Sequence, residues 1–313
     1  MSHRQAALAA SRIPDTSCGP LAGIAGNAPG RLFSSGEECH VATQQLIRSK
    51  GVLDIAFTRR GPRTVIGRGF QSGCLRLRSP RTENADEPGS AVIINTAGGI
   101  AGGDVLRQSL AWGPGTRATV TTQAAEKVYR ALSGAARIET TLEVASGAQA
   151  EWLPQETILF DSSRLSRETR ILLAEDTAFL GVEALVLGRA AMGEQLRSGA
   201  LSDRLRIWRG GRLVYADALA LEGDIAGLVN RAAIADGARA LAVIVSAAPA
   251  CAALLDPLRT ALAASRGRAA ASAWNGLLAV RLLAPCGESL RHDIALALAV
   301  LRAGRPLPRV WRC

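Results

Sequence analysis

Hydrophobic and polar residues alternate in short runs along this chain from about Gly51 onward. GVLDIAF and VLRQSLAW place apolar residues at nearly every second position, AVIIN reads as a buried strand, and Gly, Pro, Asp and Ser interrupt each run after a few residues. A period of two with frequent breakers predicts strands and tight turns. Three segments repeat the same plan: LAWGPGTRATVTTQ from Leu110, LEVASGAQAEWLPQ from Leu142 and ILLAEDTAFLGVEA from Ile171, spaced by about 32 and 29 residues. Each reads strand, turn at PG, SG or ED, then strand. RIWRGGRLVYAD and AAIADGARALAVIV look like further units of this kind. Repetition at such a period predicts stacked β layers, each burying an apolar face against its neighbours. The expected fold class is therefore mainly β, with stacked strand layers (solenoid-like or β-helical) and a few C-terminal helices.

Those helices fall late. PACAALLDPLRTALAASRG fits one or two Ala-rich helices ended by Gly267, and SLRHDIALALAVLRAG fits a helix capped at Ser289 and stopped at Gly304. The closing GRPLPRVWRC is expected to be extended, because two prolines oppose further helix. Residues 1–45 are rich in Ala, Gly, Ser and Pro without a sustained period, which predicts a disordered N-terminal extension or a start codon assigned too far upstream. No linker demands a further domain, so 46–313 is expected to be a single β domain.

Composition narrows the function classes. The 313 residues are 48% hydrophobic, enough to bury a sizeable core, and carry a formal net charge of +10. Among 37 basic residues only Lys50 and Lys127 are lysines. An Arg-rich nucleic-acid or anionic-surface binding module is the alternative this charge raises. The arginines, however, are scattered in ones and twos, without a basic helix or aromatic interleaving at 4% aromatic content. A basic surface equally suits an acidic protein partner.

The six cysteines, Cys18, Cys39, Cys74, Cys251, Cys286 and Cys313, form no CxxC and no disulfide framework, which points to a reducing cytoplasm. AALAA is too short for a signal-peptide core, and the apolar stretch 240–255 is broken by Ser246 and Pro249, so no membrane span is expected.

Familiar catalytic signatures are missing. AVIINTAGGIAGGDVL has neither GxxxxGK nor GxGxxG, so Gly98, Gly99, Gly102 and Gly103 read as a sharp turn between strands or a close-contact surface. The histidines, His3, His40 and His292, form no spaced pair, and there is no GxSxG elbow. A hydrolase using paired carboxylates therefore finds no supporting residue. What stands out is carboxylates in apolar settings: Glu151, Glu156, Asp161 and Glu168 in EWLPQETILFDSSRLSRETRI, and Glu183 and Glu194 in FLGVEALVLGRAAMGE. Burying a carboxylate is costly unless a cation meets it, so Arg170 or Arg189 is expected to pair with Glu183, or a metal ion to pass it. TTQAAEKVYRA gathers Glu126, Lys127, Tyr129 and Arg130, which reads as a site or as a solvated turn with a local ion pair.

Taken in order, NTAGGIAGGD, TTQAAEKVYRA, EWLPQETILFD, FLGVEALVLGRAAMGE and LPRVW resemble the urease accessory protein UreD (UreH) family, over roughly Gly51 to Trp311. The resemblance implies a non-catalytic scaffold that binds apo-urease subunits together with UreF and UreG. It also implies that nickel carried by UreG passes through an internal path, so that the ion is in transit and no cofactor is tightly bound. Carboxylates and water hold a hard divalent ion loosely enough to release it. On that basis Asp104, Glu126, Glu156, Asp161 and Glu183 are the expected path-lining residues, with Lys127, Tyr129 and Arg130 shaping the same region.

Overall fold

The computed structural model describes residues 48–80 and 87–311. The expected extension over 1–45 lies outside them. β1 (Lys50–Arg60) and β2 (Arg63–Gly73) form an antiparallel hairpin, and β3 (Leu75–Arg78) leads into four stacked coils. The first coil holds β4 (Gly89–Asn95) and β5 (Val105–Trp112). In the second, β6 (Arg117–Gln123), β7 (Glu126–Val128) and β8 (Ala136–Val144) follow one another. β9 (Gln149–Leu153), β10 (Thr157–Leu159) and β11 (Arg164–Leu173) make the third, and β12 (Ala178–Leu187) and β13 (Ser198–Arg209) the fourth.

Each coil leaves along one sheet and returns along another, and successive coils pair in parallel. The first sheet runs β14-β13-β11-β8-β5-β1-β2, where β14 (Arg212–Asp224) forms a hairpin with β13. α1 (Ile225–Val229), β15 (Ala240–Ala247), α2 (Leu255–Leu262), β16 (Arg268–Trp274), β17 (Leu277–Ala284) and α3 (Gly287–Leu301) follow. The second sheet runs β16-β17-β15-β12-β9-β6-β4-β3, and β7 and β10 form a short third face beside β12.

The three repeat units read from the sequence occupy equivalent places. Leu110 on β5 pairs with Leu142 on β8, and Leu142 with Ile171 on β11, all buried between the sheets. Their PG, SG and ED turns are the corners at which the chain passes from one sheet to the other. Truncating Leu142 to alanine therefore opens a hole between two stacked neighbours, and chemical denaturation should show a loss of roughly 2–5 kcal/mol.

Two other expected units are corrected. RIWRGGRLVYAD is the β13–β14 hairpin, which stays within the first sheet and ends the stack, and AAIADGARALAVIV supplies only a turn and β15.

One core lies between the sheets, and a second lies between the outer face of the second sheet and α2, α3 and the C-terminal tail. β12 is covered on both faces, which is why AFLGVEALVLG reads as nearly continuous apolar sequence. Val182 and Ala184 meet the helical layer, whereas Glu183 and Leu185 point between the sheets. The late helix begins after Cys286, not Ser289, whose hydroxyl instead lies 3.4 Å from the Cys286 thiol. The tail is not wholly extended: Arg309–Trp311 forms a 3-10 turn that buries Trp311, with its indole N–H donating to the Leu153 carbonyl at 3.0 Å. Among the described residues no helix is long and apolar enough to cross a membrane.

Candidate functional site

Alternation along β11 points Leu165, Arg167, Thr169, Ile171 and Leu173 between the sheets, so one arginine enters an otherwise apolar and hydroxyl face. Its parallel partner on β13 is Asp203, which stands between Leu201 and Leu205 on the same inward face. Arg167 grips Asp203 with a fork: Nε donates to Oδ1 at 2.8 Å and Nη2 to Oδ2 at 2.6 Å. Nη1 reaches across to Glu183 of the opposite sheet, 2.8 Å from Oε2. The other Glu183 oxygen accepts the Thr169 hydroxyl at 2.9 Å and the Trp152 indole N–H at 3.4 Å. Burial pushes the Glu183 carboxyl above the ordinary carboxylate range despite the guanidinium beside it. Desolvation works against the Arg167 charge, but Asp203 and Glu183 more than reverse it, and its pKa rises.

Arg167 and Glu183 form a wall shared by two cavities, of about 190 and 330 Å³. The smaller is bounded by Asn95, Gln108, Glu126 and Thr140, and its inner wall follows the cross-strand row Gln108, Thr140, Thr169. The Gln108 side-chain oxygen is buried without a hydrogen-bond partner. Glu126 accepts the Asn95 amide on both oxygens, at 3.1 Å each, and burial pushes its carboxyl up to about 7. Gly99 adopts φ +145° on this wall, where a side chain would meet the Tyr129 ring and the Lys127 carbonyl. The larger cavity is bounded by Asp203, Leu205 and Leu241, and by Asp217, whose carboxylate accepts Arg281 at 2.8 Å. A line of polar groups thus crosses the inter-sheet core from Glu126, through Glu183 and Asp203, to Asp217.

Comparison with known proteins decides the family. The family model described as "UreD urease accessory protein" matches residues 49–312. The chain belongs to the UreD family. A urease accessory protein UreD of Rhizobium leguminosarum bv. viciae is 47% identical over 264 residues, covering 84% of this chain and 95% of that protein. One from Xanthobacter autotrophicus is 48% identical, covering 84% and 90%, and a UreD 2 of Methylorubrum populi is 45% identical, covering 91% and 97%. UreD membership makes this an accessory protein with a role in urease maturation.

Within this UreD fold the expected site residues separate into two groups. Glu126, Lys127 and Glu183 line the smaller cavity. Asp104 instead ties its own turn to the residue before β1, accepting the backbone N–H of Ala101 at 2.8 Å and of Ser49 at 2.7 Å. Glu156 pairs with Arg291 at 3.0 Å. Asp161 accepts the N–H groups of Arg197 and Ser198; although desolvation opposes it, these donors hold its carboxyl below the usual range. None of these three carboxylates walls either cavity.

Tyr129 packs edge-on against Phe160 and donates to the Gly98 carbonyl at 2.9 Å, and Arg130 is exposed. Neither Arg170 nor Arg189 pairs with Glu183: the first lies over Trp208, and the second pairs with Glu194. Sequence reasoning missed Arg167, Asp203, Asp217 and Gln108. The signal for the first two is a charged residue at an inward position of an alternating strand.

Proposed function

We propose that this UreD-family chain works in the cytoplasm as a non-catalytic scaffold that joins UreF and UreG to apo-urease and lets nickel pass through its interior. The observation that carries the reading is the line of polar groups between the sheets, where two cavities meet at a buried carboxylate. Its donors are carboxylates, hydroxyls and amides, which bind a divalent ion through hard oxygen atoms and release it readily. A structural core has no need of Glu126, which faces an amide, or of Glu183 and Asp203, which together outnumber their one guanidinium. Nickel is thus cargo, and no resident cofactor is required.

Replacing Glu126 and Glu183 together by alanine tests this reading. The nickel content of urease matured with the variant should fall on the order of tenfold or more, while the variant still co-purifies with UreF and urease. Full nickel content in a complex of normal composition would remove the interior path from the account.

A further inference from the structure

An arginine stands in the wall that the two cavities share. Arg167 reaches Asp203 on the neighbouring strand and Glu183 on the opposite sheet, and the Arg167 and Glu183 side chains are almost wholly enclosed. Two carboxyl groups share one guanidinium, so ionising both leaves one negative charge unmatched. The other groups at this point are neutral and supply no second cation: Thr169 and Trp152 donate to Glu183, and Thr157 accepts from Arg167.

We propose that Arg167 is a tethered cation gating the passage: it fills the seat that a divalent ion needs between Glu183 and Asp203, yields to that ion, and expels it on returning. The inference rests on the conduit reading. A divalent ion neutralises both carboxylates at once, whereas a guanidinium neutralises one; a monovalent ion gains nothing over the group already there. The seat therefore favours divalent over monovalent cations without a cage of histidine or cysteine. Because its stem is fixed in β11, the displaced guanidinium stays at high effective concentration and competes for its two anions. Open volume lies on either side of the shared wall to receive it. Lysine would make a poor substitute, since one ammonium cannot reproduce the fork on Asp203 while also holding Glu183.

The test uses the full chain carrying Arg167→Met or Arg167→Lys, nickel chloride as the only ligand, and equilibrium dialysis, followed by the nickel content of urease matured with each variant. Arg167→Met should retain about one more Ni²⁺ per chain than the parent, because two carboxylates and a hydroxyl now face an empty seat. The extra ion should be lost again when Glu183→Gln is added. Urease nickel content should fall on the order of tenfold, because the ion is trapped on the way. Arg167→Lys keeps the charge and covers the case in which the methionine chain does not fold; it should bind Ni²⁺ severalfold more tightly than the parent. A folded variant of either kind whose Ni²⁺ binding matches the parent overturns the gate. Lost loading without a retained ion also overturns the gate and leaves the conduit standing. An ion retained while urease is fully loaded overturns the conduit and the gate together.

Discussion

Changing Glu151 to alanine should cost roughly 3–5 kcal/mol of stability, because it leaves a buried arginine without its anion. Glu151 and Trp152 are neighbours on β9 and point to opposite faces: the indole enters the inter-sheet core, and the carboxylate turns toward α3 and the tail. There it accepts Nε and Nη2 of Arg302 at 3.1 Å each and Nη2 of Arg305 at 2.6 Å. Arg302 is only 5% exposed, and its remaining donor goes to the carbonyls of Arg305 and Pro306, so it fixes the chain reversal that brings Trp311 onto the sheet. Removing Arg305, which is 43% exposed, should matter far less, about 1 kcal/mol at most, since Arg302 still meets the carboxylate.

Desolvation opposes the Glu151 charge, yet the two arginines and Thr119 hold its carboxyl below the usual range. A depressed carboxylate stabilises above its unfolded pKa and loses that contribution as pH falls through the folded one. The gap between parent and Glu151→Ala, read from urea denaturation, should therefore be full at neutral pH and close in acid.

The opposite sign is expected at Glu126. Burial raises its carboxyl from 4.5 to about 7, with the Asn95 amide as the main opposing influence. A group that binds its proton more tightly when folded gives most stability below about pH 4.5 and loses it as pH rises toward 7, beyond which the loss is constant. Glu126→Gln should abolish this slope and make the chain more stable at pH 8 by up to about 3 kcal/mol, with little difference at pH 4. Denaturant midpoints for the two chains across this range supply the measurement, and equal stability at pH 8 would contradict the assignment. The same linkage bears on cargo. A divalent ion in this cavity must displace the proton, so its affinity should weaken below pH 7.

How much of this was legible depended on whether a residue's partner lay within one repeat. The stacked architecture could be read because Leu110, Leu142 and Ile171 recur at coil spacing and pair directly. The end of the stack could not. Gly210 and Gly211 both have φ > 0, which closes a tight hairpin within one sheet, whereas the PG and SG turns carry the chain between sheets. All of them read alike as strand, turn, strand.

Among the carboxylates, Glu183 was marked by the apolar run around it, and the covered double face of β12 accounts for that run. Its true partner was available in SRLSRETRILL, where alternation alone places Arg167 among Leu165, Ile171 and Leu173, and again in LSDRLRIW for Asp203. Asp161 and Glu156 were not separable in this way. Neither lies in a strand, so alternation assigns them no face, and only the coil stacking and the docking of α3 bring their partners, Arg197 and Arg291, close.

Blocking the interior while leaving the outer surface intact tests the central claim most directly. Gln108 faces the smaller cavity from β5 with its side-chain oxygen unpaired, and Gln108→Trp would fill that space at an overpacking cost of roughly 1–3 kcal/mol. With the folded variant assembled on urease, metal analysis of the purified complex should find urease present and almost free of nickel. A normal nickel content with the cavity filled would show that the ion never travels between these sheets.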